Sequence, residues 1–78
     1  MTRKEIEEEA EKTIEEKCDE SGCIREEAIV PSMNHFVTQY VHGQINKNDL
    51  IQFSKYLGVF INIEAVDEVK ERVKQRQA

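Results

Sequence analysis

The chain has 78 residues, of which 35% are charged and 38% hydrophobic, and its formal net charge is −5 at pH 7. A chain of this length forms one small domain that buries only about 60% of its unfolded surface, which leaves little core around a deep catalytic pocket. We therefore expect no enzyme activity and no cofactor. The expected organisation is a single helical domain over residues 1–78, with an acidic helix at 1–20 and a helical core at 24–78.

No stretch of the sequence has the character of a membrane span or a targeting segment. The longest apolar-leaning run, Val59 to Ile63, is interrupted by Asn62 and is far shorter than the roughly 20 residues that cross a bilayer. Residues 1–17 are dominated by Glu, unlike a secretory signal or a transit peptide. We expect a cytoplasmic protein without a membrane partner, in which Cys18 and Cys23 are reduced thiols rather than a disulfide framework.

The negative charge is concentrated at the start of the chain. Residues 1–30 hold five Lys or Arg against eleven Asp or Glu, whereas residues 63–78 hold four of each. An acidic field repels phosphate, so we do not expect nucleic acid as a general partner. The Lys and Arg residues near the end of the chain interact favourably with the negative C-terminal end of a helix macrodipole.

The first predicted element is a helix over residues 3–18. Thr2 followed by Glu5 has the pattern of a capping box, and the stretch contains neither Gly nor Pro. Its apolar seam is narrow, with members four residues apart: Ile6, Ala10, Ile14 and Cys18. A stripe this thin buries little, so the helix must pack on the rest of the domain, a second copy or a partner. We take Ile6 and Ile14 as candidate partner-binding residues.

The next helical region is predicted in two pieces, because Pro31 disfavours helical geometry at Val30 and suits the first turn of a new helix. Residues 25–30 form a short first piece. The second piece carries a broad apolar face: Met33, Phe36, Val37, Tyr40 and Val41. Gly43 is the expected stop.

Two further helices are predicted after this stop. Asn46 or Asn48 can cap the third helix, and Gly58 suits the position just after its end. Asn62 can cap the last helix, in which we expect four apolar residues to face inward: Ile63, Val66, Val69 and Val73. Only Val59–Ile61 resembles a strand, and it has no partner strand. The expected fold is an all-α compact bundle of four short helices, or five if residues 25–30 count separately.

Two cysteines and two histidines form the sharpest candidate constellation for chemistry. Cys18, Cys23, His35 and His42 are the ligand types of a structural tetrahedral zinc site, which would supply folding free energy to a small domain. Their spacing lies just outside the usual finger pattern at two of the three gaps. In the alternative interpretation, Cys18 is a small residue of the apolar seam and Cys23 lies in a turn. His35 then lies beside the core and His42 at a helix end. No metal is favoured.

Residues 54–59 resemble the first half of a helix-turn-helix, with a small residue followed four positions later by a turn glycine. The helix that would read DNA begins with acidic residues, Glu64, Asp67 and Glu68, which repel phosphate. These acidic residues argue against DNA reading by this helix. The second hypothesis, a zinc- or nucleic-acid-binding regulator, is built on the Cys and His residues.

The first hypothesis is a non-catalytic protein-interaction or regulatory module. Five aromatic residues fall between Phe36 and Phe60, and a bundle of this size hides three or four of them. The turn formed by Val59, Phe60 and Ile61 is apolar, although turns are normally exposed. We expect another protein, or a second copy of the chain as a homodimer, to bind this turn or the acidic first helix.

Overall fold

The computed structural model describes residues 1–77 and is an all-α bundle, which confirms the predicted fold class. Its four helices are α1 (Arg3–Ser21), α2 (Arg25–Val41), α3 (Lys47–Leu57) and α4 (Ile63–Gln77). The described residues contain no strand. Ala78, the last residue of the predicted domain, lies outside the described residues.

Local sequence sets where the helices begin. The backbone N–H of Glu5 donates to the Thr2 hydroxyl at 3.2 Å, and the Glu5 carboxylate accepts the Thr2 N–H at 3.1 Å, so the predicted capping box is confirmed. Asn46, rather than Asn48, caps α3 by accepting a backbone N–H at 2.8 Å. The Asn62 side chain accepts a backbone N–H from the first turn of α4 at 3.3 Å.

The prediction of two separate pieces around Pro31 is wrong, because α2 runs unbroken from Arg25 to Val41 with the proline inside it. Pro31 removes one backbone hydrogen bond and crowds the preceding turn. Ala28 before it and Met33 and Phe36 after it are all buried in the same core. Packing on both sides of the proline therefore offsets the local cost of keeping the helix continuous.

The core lies between α1, α2 and α3, which pack against one another. At its centre the rings of Phe36 and Phe53 stack with their centroids 3.8 Å apart and their planes 6° from parallel. The buried apolar residues come from all three helices: Ile6, Ala10, Ile14, Ala28, Met33, Phe36, Tyr40, Leu50, Phe53 and Leu57. Three of the five aromatic residues are therefore hidden, as expected.

Helix α4 is attached differently from the other three. Its backbone lies close to that of α2 alone among the described helices, the Lys47 side chain of α3 reaches it by an ion pair, and none of its described residues is fully buried. Ile63 and Val66 pack against the core edge, but Val69 is 47% exposed. The prediction that Val69 faces inward is thus wrong, because the contact of α4 with the core is made by Ile63 and Val66 in its first turn.

Asp67 fixes the position of α4. Its carboxylate accepts the Tyr40 hydroxyl at 2.5 Å and the Lys47 ammonium at 3.0 Å. The Lys70 ammonium lies 4.1 Å from the centre of the Tyr40 ring. These bonds lower the pKa of Asp67, with Tyr40 the larger cause, and the carboxylate in turn raises the pKa of Tyr40 to about 12.

Candidate protein-interaction surface

The turn between α3 and α4 is built by a glycine cap. Gly58 has a left-handed backbone, with φ 71° and ψ 25°, which glycine adopts without steric cost. The N–H of the following residue, Val59, donates to the Ser54 carbonyl at 3.1 Å. This pattern ends α3 and folds Val59 back towards the helix it leaves.

Side chains of the turn alternate between packed and exposed. Val59 and Ile61 are half-buried and pack against the core, whereas Phe60 between them is 95% exposed. Such alternation is expected where a short segment is extended, because successive side chains point to opposite sides. The sequence prediction placed all three residues in one partner-binding patch. The structure distinguishes Phe60 as the projecting member and its neighbours as the anchors.

A shallow groove lies beside Phe60. The end of α3 and the start of α4 form its two sides, and the turn crosses between them. The groove has a volume of about 520 Å³ and is lined mainly by apolar side chains, with Ile51, Val59, Phe60, Ile61 and Ile63 among them. We refer to Phe60 together with this groove as the Phe60 surface.

The polar groups in the groove are few and already occupied or solvated. The Ser54 hydroxyl donates to the Ile51 carbonyl at 2.8 Å. Lys55 contributes the cationic group at the rim and is exposed. An exposed aromatic side chain beside an apolar groove is typical of a surface that another molecule covers.

The other two predicted partner-binding residues, Ile6 and Ile14, lie elsewhere. Their side chains are 2% and 3% exposed and belong to the core, so they offer almost no surface to a partner while the chain is folded. The reason is that α1 packs on both α2 and α3, and Thr13 joins its seam as a fourth buried residue. We therefore do not retain Ile6 and Ile14 as surface residues.

The structure does not assemble the predicted zinc ligands. Cys18 and Cys23 lie at the α1–α2 junction, His35 is in the middle of α2, and His42 follows the last residue of that helix. At about 1.5 Å per residue, α2 separates His42 from the junction by about 25 Å. Within residues 1–77, no three His, Cys, Asp or Glu side chains are placed to hold a metal ion. The two cysteines come together, but without the histidines.

Glu11 on α1 contacts both α2 and α3, and it is not among the residues predicted from the sequence to be functional. The Arg25 guanidinium donates two hydrogen bonds to its carboxylate, one of them at 2.6 Å, and the Tyr56 hydroxyl donates a third at 2.5 Å. These bonds, from Arg25 first and Tyr56 second, lower the pKa of Glu11 to about 2. The same contact raises the pKa of Tyr56. No local pattern connects residues so far apart in the chain.

Each of the four helices in residues 1–77 is too short or too polar to span a lipid bilayer. Comparison of the chain with protein-family models, with curated proteins and with solved structures finds no match. The Phe60 surface is therefore the feature from which we infer a function.

Proposed function

We propose that this chain is a non-catalytic protein-interaction module, and that its Phe60 surface binds a second copy of the chain. The observation that carries the proposal is Phe60 itself, 95% exposed beside a groove with apolar walls. Moving a phenylalanine side chain from water to an apolar site is worth about 2 kcal/mol. The fold of a single copy does not use this free energy, and an interface would.

The choice of a second copy follows from the arrangement of projection and groove. In a twofold interface the same patch is used by both partners, so the patch must be complementary to itself. The Phe60 surface carries a projecting ring and, directly beside it, a groove of about 520 Å³. Under a twofold rotation, the Phe60 ring of each copy faces the groove of the other.

The size of the surface sets the expected strength of this association. One exposed phenylalanine and the half-buried residues around it offer a few hundred Å² per copy, below the roughly 800 Å² of a standard interface. We therefore expect a weak, concentration-dependent dimer. Each copy also carries a net charge of −5, so added salt strengthens the dimer by screening repulsion between copies.

Interaction is favoured over catalysis by what lines the groove. A nucleophile needs a base within hydrogen-bond reach and an oxyanion site. The groove offers the Ser54 hydroxyl, which is bonded to a backbone carbonyl, and the Lys55 ammonium. The proposal includes the cytoplasmic location expected from the sequence.

Sedimentation velocity over a range of about 10 μM to 1 mM, at low and high salt, tests the proposal. We expect the wild-type chain to shift from monomer towards dimer as concentration rises, and Phe60→Glu to remain monomeric. Val30→Glu is the matched control, because Val30 is a 60% exposed apolar residue on α2 and acquires the same charge. It should dimerise like the wild type.

A wild-type chain that stays monomeric throughout this range would contradict the proposal and leave the surface to a partner of different sequence. Equal loss of dimer in Phe60→Glu and Val30→Glu would also contradict it, because added negative charge alone would then explain the effect.

A further inference from the structure

Two thiols lie in contact where α1 ends and α2 begins. The Sγ atoms of Cys18 and Cys23 are 3.9 Å apart, and the Cys23 thiol donates a weak hydrogen bond to Cys18. Both cysteines are free, half-buried and packed against the edge of the core. The pair shares no residue with the Phe60 surface.

The cap of α1 produces this contact. Gly22 has a left-handed backbone with φ 67°, and its N–H donates to the Cys18 carbonyl at 2.7 Å. In caps of this kind, the residue after the glycine folds back onto the residue one turn before the helix end. Those two positions are occupied by Cys23 and Cys18. The backbone therefore holds the thiols together before any bond joins them.

We propose that Cys18 and Cys23 are a reversible oxidation site, at which a small-molecule disulfide converts the two thiols into one intramolecular disulfide. Bonded sulfur atoms are about 2.05 Å apart, so each sulfur has to move by about 1 Å from its present position. Rotation about the two Cα–Cβ bonds supplies a movement of this size. The helix cap can stay in place while the bond forms.

Small molecules can reach the pair from the side of Cys18. That residue lines a shallow groove of about 330 Å³ between α1 and the start of α2, together with Glu11, Ile14, Glu15 and Arg25. The guanidinium of Arg25 is already paired with Glu11, so the groove has an excess of negative charge. An uncharged disulfide, such as hydroxyethyl disulfide, is therefore a suitable oxidant.

The reaction is two successive thiol–disulfide exchanges. The Cys18 thiol loses its proton and attacks one sulfur of hydroxyethyl disulfide, which breaks the S–S bond and releases one mercaptoethanol thiolate. The Cys23 thiolate then attacks Cys18 Sγ in the mixed disulfide and releases a second mercaptoethanol. The protein loses two protons and two electrons, and one hydroxyethyl disulfide becomes two mercaptoethanol molecules.

The surroundings of Cys18 set how fast this happens. Burial raises the pKa of the Cys18 thiol, the neighbouring Cys23 and the Asp19 carboxylate raise it further, and Arg25 opposes them. The thiolate is the attacking species, so oxidation is slow at neutral pH and accelerates as the pH rises.

Intact-mass spectrometry after incubation with hydroxyethyl disulfide and mercaptoethanol at several ratios tests the proposal. We expect a wild-type product that is about 2 Da lighter than the reduced chain, carries no adduct and reverts with excess mercaptoethanol. Cys18→Ser and Cys23→Ser should each stop at a single mercaptoethanol adduct. A wild-type product that stops at adducts, or that becomes a disulfide-linked dimer of chains, would overturn the proposal.

Two glycine variants test the role of the cap. A Cβ at Gly22 or at Gly58 would meet no atom within 4 Å, so each Gly→Ala change strains only a left-handed backbone. Gly22→Ala should lower the ratio of intramolecular disulfide to adduct several-fold, whereas Gly58→Ala, which strains the cap of α3, should leave it unchanged. An unchanged ratio in Gly22→Ala, or an equal fall in both variants, would show that the cap of α1 does not hold the thiols together.

Discussion

The Tyr40 hydroxyl donates a 2.5 Å hydrogen bond to Oδ1 of Asp67, and this contact joins α4 to α2. Lys47, the first residue of α3, adds an ion pair to the second oxygen of the same carboxylate, at 3.0 Å. One carboxylate on α4 thus contacts both α2 and α3, at a point outside the Phe60 surface.

A double-mutant cycle between Tyr40→Phe and Asp67→Ala measures this contact. Each single change should destabilise the chain in urea, because each removes a hydrogen bond to a charged group. The double variant should lose less stability than the sum of the two single losses. Additive losses would show that the two groups do not interact in solution.

The Ser32 hydroxyl is buried and has no hydrogen-bond partner among the described residues. Removing such a group relieves a desolvation cost of about 1 kcal/mol or more, and alanine also favours a helix over serine. Ser32→Ala should therefore raise the free energy of unfolding, measured by urea titration. Ser54→Ala is the control, because that hydroxyl is bonded to the Ile51 carbonyl, and it should bring no gain. A loss of stability in Ser32→Ala would contradict the burial of an unpartnered hydroxyl.

Protonation of Glu11 should lower the stability of the folded chain at acid pH. Its pKa is about 2 in the folded chain, against an ordinary value of 4.5. The folded state therefore binds fewer protons than the unfolded state between these values, and stability falls as pH drops from about 5 to 2. In Glu11→Gln this part of the fall should disappear from urea titrations at a series of pH values.

Glu8→Gln removes the same charge from an exposed position on α1 and is the control for that series. Its stability should fall with acid as steeply as that of the wild type. Identical pH profiles for Glu11→Gln and the wild type would contradict the bonds from Arg25 and Tyr56.

Ile14 and Phe60, one from each predicted surface, should differ in how much unfolding free energy is lost when their side chains are truncated. Ile14→Ala empties a core position and should cost about 2–4 kcal/mol of unfolding free energy. Phe60→Ala should change it by no more than about 0.5 kcal/mol, because a 95% exposed ring contributes little to the fold of one copy. Thermal or urea unfolding at a concentration too low for association provides the comparison. A large loss in Phe60→Ala would show that the ring packs into the core in solution.

The ends of the helices could be predicted from the sequence because they are decided by neighbours in the chain. Thr2 with Glu5, Asn46 and Gly58 each act within one helical turn, and each is found in its expected role. The same local rules predict a break at Pro31, whereas α2 continues through it. There the contacts of Ala28 and Phe36 with distant residues outweigh the preference of the proline.

The candidate surface was predictable only in part. An apolar turn at residues 59–61 is visible in the sequence, but the exposure of Phe60 follows from the packing of Val59 and Ile61 against the core, which no local pattern shows. The burial of Ile14 is likewise a tertiary effect, since a thin seam suffices when two helices cover it. The contact between Cys18 and Cys23 did have a local signal, a glycine cap flanked by the two positions that fold together.

Amide chemical shifts of the ¹⁵N-labelled chain, recorded while it is diluted from about 1 mM to 20 μM, test the self-association of the Phe60 surface most directly. We expect the amide shifts of Ile51, Ser54 and residues 58–63 to change with concentration. Changes of comparable size should be absent from the exposed face of α1. Phe60→Glu should show the low-concentration spectrum throughout. Shifts independent of concentration, or changes confined to α1, would contradict self-association through this surface.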